Sequence, residues 1–216
     1  PAPWNKELER IPGVGPALVS FARFLSRPWA RPVYELRREL GLPRGEHPVF
    51  EGQHSPTLVL ALFSRLLAEP QPDWPPNTRI TGAIPYNGPL PPEPLPAAVQ
   101  RLIDDGRPPV VFTLGSSAVG AAGGFYRESL EAVRRLGLPA VLLVGSHPEN
   151  RLAGPPPADV VIESHVRHST LFRHASVIVH QGGAGTLHHA LRAGRPSLIV
   201  PFAHDQPDNA YRVQRL

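Results

Sequence analysis

Residues 180–186 have the residue types and spacing of an anion-binding turn. The segment reads HQGGAGT, follows an apolar run that favours a strand and opens a segment that favours a helix. Glycines let the backbone turn tightly and approach a ligand closely. Free N–H groups and the positive dipole end at a helix start favour an anion such as phosphate. Gln181 and Thr186 add an amide and a hydroxyl donor, so the segment predicts a phosphate site; the alternative is a glycine turn that packs without a ligand.

The turn does not match two better-known phosphate motifs. A dinucleotide fingerprint needs G-x-G-x-x-G, and counting from Gly183 the third glycine position holds His188. A P-loop needs a Lys-Ser/Thr pair after its last glycine, and none follows here.

Two further polar motifs follow apolar runs. Ser116 and its neighbours Gly115 and Ser117 follow residues 110–114, and their hydroxyls could contact a second phosphate or a sugar, although Ser and Gly are ordinary turn residues. Asp205 and Gln206 follow residues 197–200. A carboxylate and an amide together can bind a polyol; the alternative is a loop in which Asp205 or Asp208 caps the next helix.

The elements that must position these motifs form an alternating pattern. Strands are predicted at residues 110–114, 140–144, 160–163, 177–180 and 197–200, and helices at residues 125–136, 169–174, 185–193 and 207–216. Such alternation predicts an α/β fold with a parallel sheet covered on both faces. Ligands of such sheets bind in the crevice at the carboxyl ends of the strands, which is where all three motifs lie.

The first part of the chain has a different pattern. Helices are predicted at residues 17–25, 32–40 and 57–67, and strands at residues 49–51 and 79–81. A proline-rich stretch follows, which favours semi-extended backbone. We therefore predict a partial domain over residues 1–84, a linker over residues 85–108 and a second domain over residues 109–216.

Composition narrows the function classes. The 216 residues are 41% hydrophobic, which allows a packed core, and contain no Cys, which excludes disulfides and thiolate metal sites. The absence of Met predicts a fragment or a processed chain. With no apolar run long enough to span a bilayer and no signal-peptide pattern, we expect a cytoplasmic protein without stable membrane insertion. The net charge of +4 is compatible with an anionic ligand and does not by itself predict nucleic-acid binding.

One motif supports a competing hypothesis. The segment IPGVGPAL at residues 11–18 resembles a helix-hairpin-helix turn, whose backbone amides bind a DNA phosphate. It occurs once and contains no Lys or Arg. We expect a Pro/Gly turn before a helix, with a nucleic-acid-binding module as the less favoured alternative.

Residues 109–213 resemble the C-terminal domain of family 1 glycosyltransferases, especially the bacterial macrolide and antibiotic types and the sterol glucosyltransferases. The resemblance rests on HQGGAGT (180–186), GRPSLIVP (194–201) and DQPDNAYRV (205–213), in that order. It extends upstream, less specifically, through ELRRELGLP (35–43), PDWPPN (72–77) and ITG (80–82).

The resemblance implies a GT-B fold with two Rossmann-like domains and an inverting hexosyl transfer that needs no metal and no cofactor. The donor would be a UDP-sugar or dTDP-sugar, and the acceptor a hydroxyl of a macrolide, sterol or lipid. By position in the family's motifs, the residues implied to bind the donor are Ser116, His165, Val166, His168, Gln181, Gly182, Gly183, Ala184, Gly185, Thr186, Asp205 and Gln206.

The chain departs from the family's pattern in three respects. Gln181 stands where the family has a phosphate-binding His, and His189 where plant-type members have a ribose-contacting Glu. The family's catalytic His lies early in its N-terminal domain, and neither His47 nor His54 matches it, so no catalytic residue is assigned. A nucleotide-binding fragment or homologue without turnover is therefore an open alternative, as is a nucleotide-sugar epimerase of the same two-domain fold.

Overall fold

The computed structural model of the chain describes residues 13–84 and 94–216. These residues belong to two compact units that divide between Gly82 and Ala83. The first unit contains helices α1 (Val14–Leu25) and α2 (Arg27–Glu39) and the parallel strand pair β1 (Val59–Ala61) and β2 (Thr78–Ile80). Gly13, with φ 84°, directly precedes α1; the preceding residues of the hairpin-like motif lie outside the described part.

Two sequence predictions for the first unit are wrong. The apolar run at 57–67 was predicted as a helix, yet three of its residues form β1, because short apolar runs carry no decisive period and here pairing with β2 is available. Residues 49–51 were predicted as a strand and form a turn instead. The N–H groups of Phe50 and Glu51 donate to the His47 carbonyl at 3.1 and 2.8 Å, so they are satisfied locally.

The second unit is a five-stranded parallel sheet in the order β5-β4-β3-β6-β7. Its elements follow the predicted alternation and confirm the α/β fold. They are α3 (Ala97–Asp104), β3 (Val110–Thr113), α4 (Gly115–Ala118), α5 (Phe125–Leu136), β4 (Ala140–Leu143), β5 (Val160–Glu163), α6 (His168–Leu171), β6 (Val177–His180), α7 (Ala184–Ala193), β7 (Ser197–Ile199) and α8 (Gln206–Val213).

Both faces of this sheet are covered. All residues of β3 and β4 are buried, as a parallel sheet requires. Helix α5 buries Tyr126, Leu130 and Val133 on one face, at the spacing of a 3.6-residue period, and ends where Gly137 adopts φ 61°.

Part of the stretch predicted as a linker, residues 85–108, forms a helix. Residues 85–93 lie outside the described part. Residues 97–104 form α3, whose Val99 and Leu102 pack in the core with Val111 and Val141. The sequence did not predict this helix, because the proline-rich stretch, which favours turns, continues as far as Pro96, directly before the first helical residue.

The strand order creates a switch point beside the central strand. From β3 the chain builds outward through β4 and β5 on one side, and through β6 and β7 on the other. In open α/β sheets this reversal leaves a crevice outside the carboxyl ends of the two central strands. Thr113 and His180 are register partners at that edge, so the turns that follow β3 and β6 lie side by side.

Candidate functional site

A cavity of about 540 Å³ opens at the carboxyl edge of the sheet. Its walls come from the segments that follow β3, β4 and β5 and from the start of α7. Five of the predicted site residues line it: Ser116, His165, His168, Gly185 and Thr186. The lining also includes His147, His189 and further Ser and Thr hydroxyls, but no Lys, Arg, Asp or Glu.

Helix α7 presents its N-terminus to this cavity. Its first backbone hydrogen bond runs from the Leu187 N–H to the Gly183 carbonyl at 2.9 Å. The N–H groups of Ala184, Gly185 and Thr186 therefore precede the helix's own ladder of hydrogen bonds. A Cβ added to Gly185 would meet no protein atom within 4 Å. The space beside Gly185 is thus open to a ligand, and the local field favours an anion.

The two preceding glycines face protein instead. Gly182 has φ 89°, and an added Cβ would lie 2.7 Å from Ile199 Cγ2 and 3.3 Å from the Gln206 carbonyl oxygen. An added Cβ on Gly183 would lie 2.8 Å from Gln181 Nε2. These glycines let the turn pack closely against β7, α8 and its own Gln181, and so fix the start of α7.

The side chain of Gln181 connects the turns that follow β3 and β6. It is only 2% exposed, and a Cβ on Gly115, which has φ 59°, would lie 2.5 Å from its Nε2. Thr186 Oγ1 would lie 2.9 Å from the same Cβ. Only glycine fits at position 115, because both the backbone conformation and the space exclude a side chain.

Two histidines at the site, His168 and His180, are neutral at pH 7. His180 is fully buried, and its Nδ1 accepts the Gly182 N–H at 3.1 Å; burial lowers its pKa to about 4. His168 stacks on Phe172 with ring centroids 4.5 Å apart. Burial, and then the neighbouring His189, His165 and His180, lower the pKa of His168 to about 4. These rings offer aromatic faces and neutral hydrogen-bonding groups, not fixed positive charge.

The loop after β7 lies beside Gly182 in the glycine turn. Asp205 is the N-cap residue of α8, as one interpretation of the sequence predicted, although its side chain makes no capping bond to the helix. Gln206 is 2% exposed, and its Oε1 accepts the N–H groups of Phe202 and Ala203 at 2.8 and 3.1 Å. The amide oxygen of Gln206 therefore stabilises the loop after β7.

Known proteins with related sequences and folds share this architecture. The chain is 32% identical over 192 residues to 4'-demethylrebeccamycin synthase from Lentzea aerocolonigenes, which covers 88% of this chain and 44% of that protein. It is 30% identical over 190 residues to a sterol 3-beta-glucosyltransferase from Leptosphaeria maculans, covering 82% of this chain and 13% of that protein. No protein-family model matches.

Among solved structures, the spinosyn rhamnosyltransferase SpnG complexed with thymidine diphosphate superposes with a TM-score of 0.57. It is 26% identical and covers 75% of this chain and 42% of that one. The chain belongs to the GT-B glycosyltransferases. It spans less than half the length of the glycosyltransferases it matches, and the matched share fits a C-terminal domain.

Seven of the predicted donor-binding residues are not in the cavity lining: Val166, Gln181, Gly182, Gly183, Ala184, Asp205 and Gln206. Val166 is 6% exposed and packs in the core with Leu171 and Phe172, so only its backbone could reach a ligand. Gln181 is only 2% exposed, and its Nε2 lies beside Gly115. Gln206 could offer its amide nitrogen but not its oxygen. Motif patterns identify residue types, but they do not show which way a side chain points.

Two asparagines that the sequence did not single out hold the edge of the glycosyltransferase sheet. Asn150 Nδ2 donates to the carbonyls of Val119 and Val144, each at 2.8 Å, which joins the segments after β3 and β4. Asn209 Nδ2 donates to the Gly182 carbonyl and to Asp205 Oδ2, each at 2.8 Å. Asn209 stands within the quoted motif DQPDNAYRV, which was the one available signal.

Two functional absences apply to the described residues, 13–84 and 94–216. They contain no group of three or more His, Asp or Glu side chains arranged to hold a metal ion, and none of their helices is long and apolar enough to cross a membrane.

His47, one of the histidines weighed as a base, is mostly buried, with Nε2 3.3 Å from Ser26 Oγ, and its Nδ1 accepts the Val49 N–H at 3.3 Å.

Proposed function

We propose that this chain binds the nucleoside diphosphate-sugar donor of a glycosyltransferase in the cavity at the start of α7. One observation carries the proposal: at the switch point of the sheet, a helix N-terminus with a glycine that meets no protein atom opens into a cavity of about 540 Å³. Backbone N–H groups and a helix dipole favour a diphosphate there without a metal ion. The donor is a UDP-sugar or dTDP-sugar, with no further cofactor.

The donor's parts are assigned by chemistry. The diphosphate accepts from the N–H groups of residues 184–186 and from the hydroxyls of Thr186 and Ser116. The base and ribose lie toward His165 and His168, whose rings can stack on a base. The sugar lies toward Asp205, whose carboxylate accepts from hydroxyls.

The reaction is transfer of the sugar to a hydroxyl of a small hydrophobic acceptor, with inversion. The acceptor oxygen attacks the anomeric carbon, the bond to the diphosphate oxygen breaks, and the acceptor's proton passes to a base. The helix N-terminus stabilises the negative charge that develops on the departing diphosphate. The matched proteins include enzymes named for rebeccamycin, sterol and spinosyn substrates, so we propose an acceptor of the macrolide, sterol or lipid class and no nucleic-acid partner.

Thermal unfolding tests donor binding. A ligand that binds only the folded state at 100 times its Kd stabilises by about 2.7 kcal/mol, so millimolar UDP or dTDP should raise the Tm by several degrees. Gly183→Val should abolish that rise, because its side chain would collide with Gln181 Nε2. No shift with either nucleotide would overturn the proposal, and an equal shift with AMP would show a site that does not select the pyrimidine nucleotides.

Transfer is tested separately. A binding homologue without turnover would show the same nucleotide-induced rise in Tm but release no nucleoside diphosphate. The assay measures release of UDP or dTDP from the nucleotide-sugar with a sterol or macrolide acceptor. Acceptor-dependent release supports transfer, and donor binding without release supports the binding homologue.

A further inference from the structure

The strongest unassigned feature is the side chain of Asn209, which lies between Asp205, the proposed sugar contact, and the glycine turn that precedes the proposed diphosphate contacts. Its Nδ2 donates one hydrogen bond to the Gly182 carbonyl, in the glycine turn, and one to Asp205 Oδ2, each 2.8 Å long. An amide nitrogen has two hydrogens, so both are used. Since both partners are oxygens that only accept, the nitrogen and not the amide oxygen must face them, which fixes the orientation of the amide.

We propose that Asn209 is a positioning residue that locks the Asp205 carboxylate to the diphosphate-binding turn. This inference rests on the proposed function. Asp205 is exposed, and an exposed carboxylate without a side-chain partner would sample several rotamers. The hydrogen bond from Asn209 holds the Asp205 side chain in one of these rotamers. The second hydrogen bond of the same amide fixes that rotamer relative to the backbone of Gly182.

The position of Asn209 on α8 makes the link rigid. The Asn209 N–H donates to the Asp205 carbonyl at 2.9 Å, so the two residues lie one helical turn apart. The Gly182 backbone is held in turn by its N–H bond to His180 Nδ1 at 3.1 Å. The sugar-binding carboxylate and the diphosphate turn therefore move as one body, and the sugar is presented at a fixed distance from the leaving group.

This arrangement predicts that Asn209 is energetically coupled to binding of the donor's sugar. Asn209 contacts the protein and not the donor, yet its loss should lower the affinity added by the sugar. We define the sugar gain as the Kd of dTDP divided by the Kd of dTDP-glucose, with the UDP pair used instead if the chain binds UDP. A residue that only stabilises the fold would lower the Tm and leave this ratio unchanged.

Calorimetric titration of four variants tests the inference. Asn209→Leu keeps the size and removes both hydrogen bonds, Asp205→Ala removes the carboxylate, and the double variant removes both. Gln214→Leu, which replaces an exposed amide at the end of the same helix, is the control. If Asn209→Leu does not fold, Asn209→Ala removes the same two bonds without adding bulk.

The expected result is a sugar gain that falls about tenfold in Asn209→Leu and in Asp205→Ala, as for loss of a hydrogen bond to a charged group. The double variant should fall no further, because both residues act through one carboxylate. Gln214→Leu should match the wild type.

Two outcomes overturn the inference and can be told apart. If the wild type binds dTDP and its sugar gain survives Asn209→Leu, or the two losses add, Asn209 is only structural and the proposed function stands. If the wild type binds neither nucleotide, the proposed function fails and the inference with it.

Discussion

Replacing Gly185 by Ala should make the protein more stable and its nucleotide binding weaker. Gly185 is the second residue of α7, and a Cβ there meets no protein atom within 4 Å. Alanine is favoured over glycine inside a helix by about 0.5–1 kcal/mol. The fold alone therefore gives no reason for a glycine at this position, and the reason must lie in what approaches it.

The cost to binding follows from the same geometry. The added methyl group would occupy the cavity beside the N–H groups that are proposed to hold the diphosphate. Even a modest displacement of a charged ligand should lower its affinity tenfold or more, which corresponds to about 1.4 kcal/mol. Folding and binding free energies should thus change in opposite directions.

Gly15 provides a binding control for this experiment. It is the second residue of α1, and an added Cβ there also meets no atom within 4 Å. Urea unfolding should show that Gly185→Ala raises the free energy of unfolding, whereas Gly15→Ala should gain less, because Pro16 follows it and disfavours helical backbone at a preceding residue that has a Cβ. Calorimetric titration with dTDP or UDP should show a loss of affinity in Gly185→Ala alone. Unchanged affinity in Gly185→Ala would refute the assignment of the diphosphate to the start of α7.

Three further predictions concern the neighbourhood of the site. Gly115→Ala and Gly123→Ala both place a side chain at positive φ (59° and 55°), which costs about 1–2 kcal/mol. Gly115→Ala should destabilise further and should weaken dTDP binding in calorimetry, because its Cβ would lie 2.5 Å from Gln181 Nε2, whereas a Cβ at Gly123 would meet no atom within 4 Å; equal affinities would contradict this. Burial lowers the pKa of His168 and of His180 to about 4 from 6.5, so the unfolded chain binds more protons between these values. The free energy of unfolding should be constant above pH 6.5 and fall by up to about 3 kcal/mol per histidine toward pH 4, and a Tm that stays flat over that range would refute it. Tyr126→Phe removes a 2.6 Å bond to the Leu143 carbonyl and should cost about 1–3 kcal/mol in urea unfolding, whereas wild-type stability would show that the carbonyl finds another donor.

The second unit could be predicted from sequence because its signals are local. Short apolar runs alternate with amphipathic segments, and each run became a strand of the parallel sheet. The prediction for residues 57–67 failed because residues 58–63 are all apolar and show no period, so only the pairing with residues 78–80 decides that part of the segment is a strand. Local patterns do not encode that partner.

The candidate site likewise combines features that a local motif predicts with features that depend on contacts between distant residues. The motif HQGGAGT predicted a glycine turn before a helix, but the sequence could not show that Gly182 packs against Ile199 while Gly185 faces open space. It also could not show that Gln206 turns inward to its own loop. The bond between Asn209 and Gly182 joins residues 27 positions apart, a contact that depends on where α8 lies beside the turn after β6.

The most direct measurement of the central claim is where a nucleotide binds. An amide NMR titration of the isotope-labelled chain with dTDP or UDP would map the contact residue by residue. The account predicts that the largest shifts occur at Gly185 and Thr186, with smaller ones at Ser116 and His165. Shifts that cluster instead at the separate cavity lined by Arg127, Arg134 and Arg151, or in the arginine-lined groove of the first unit, would contradict it.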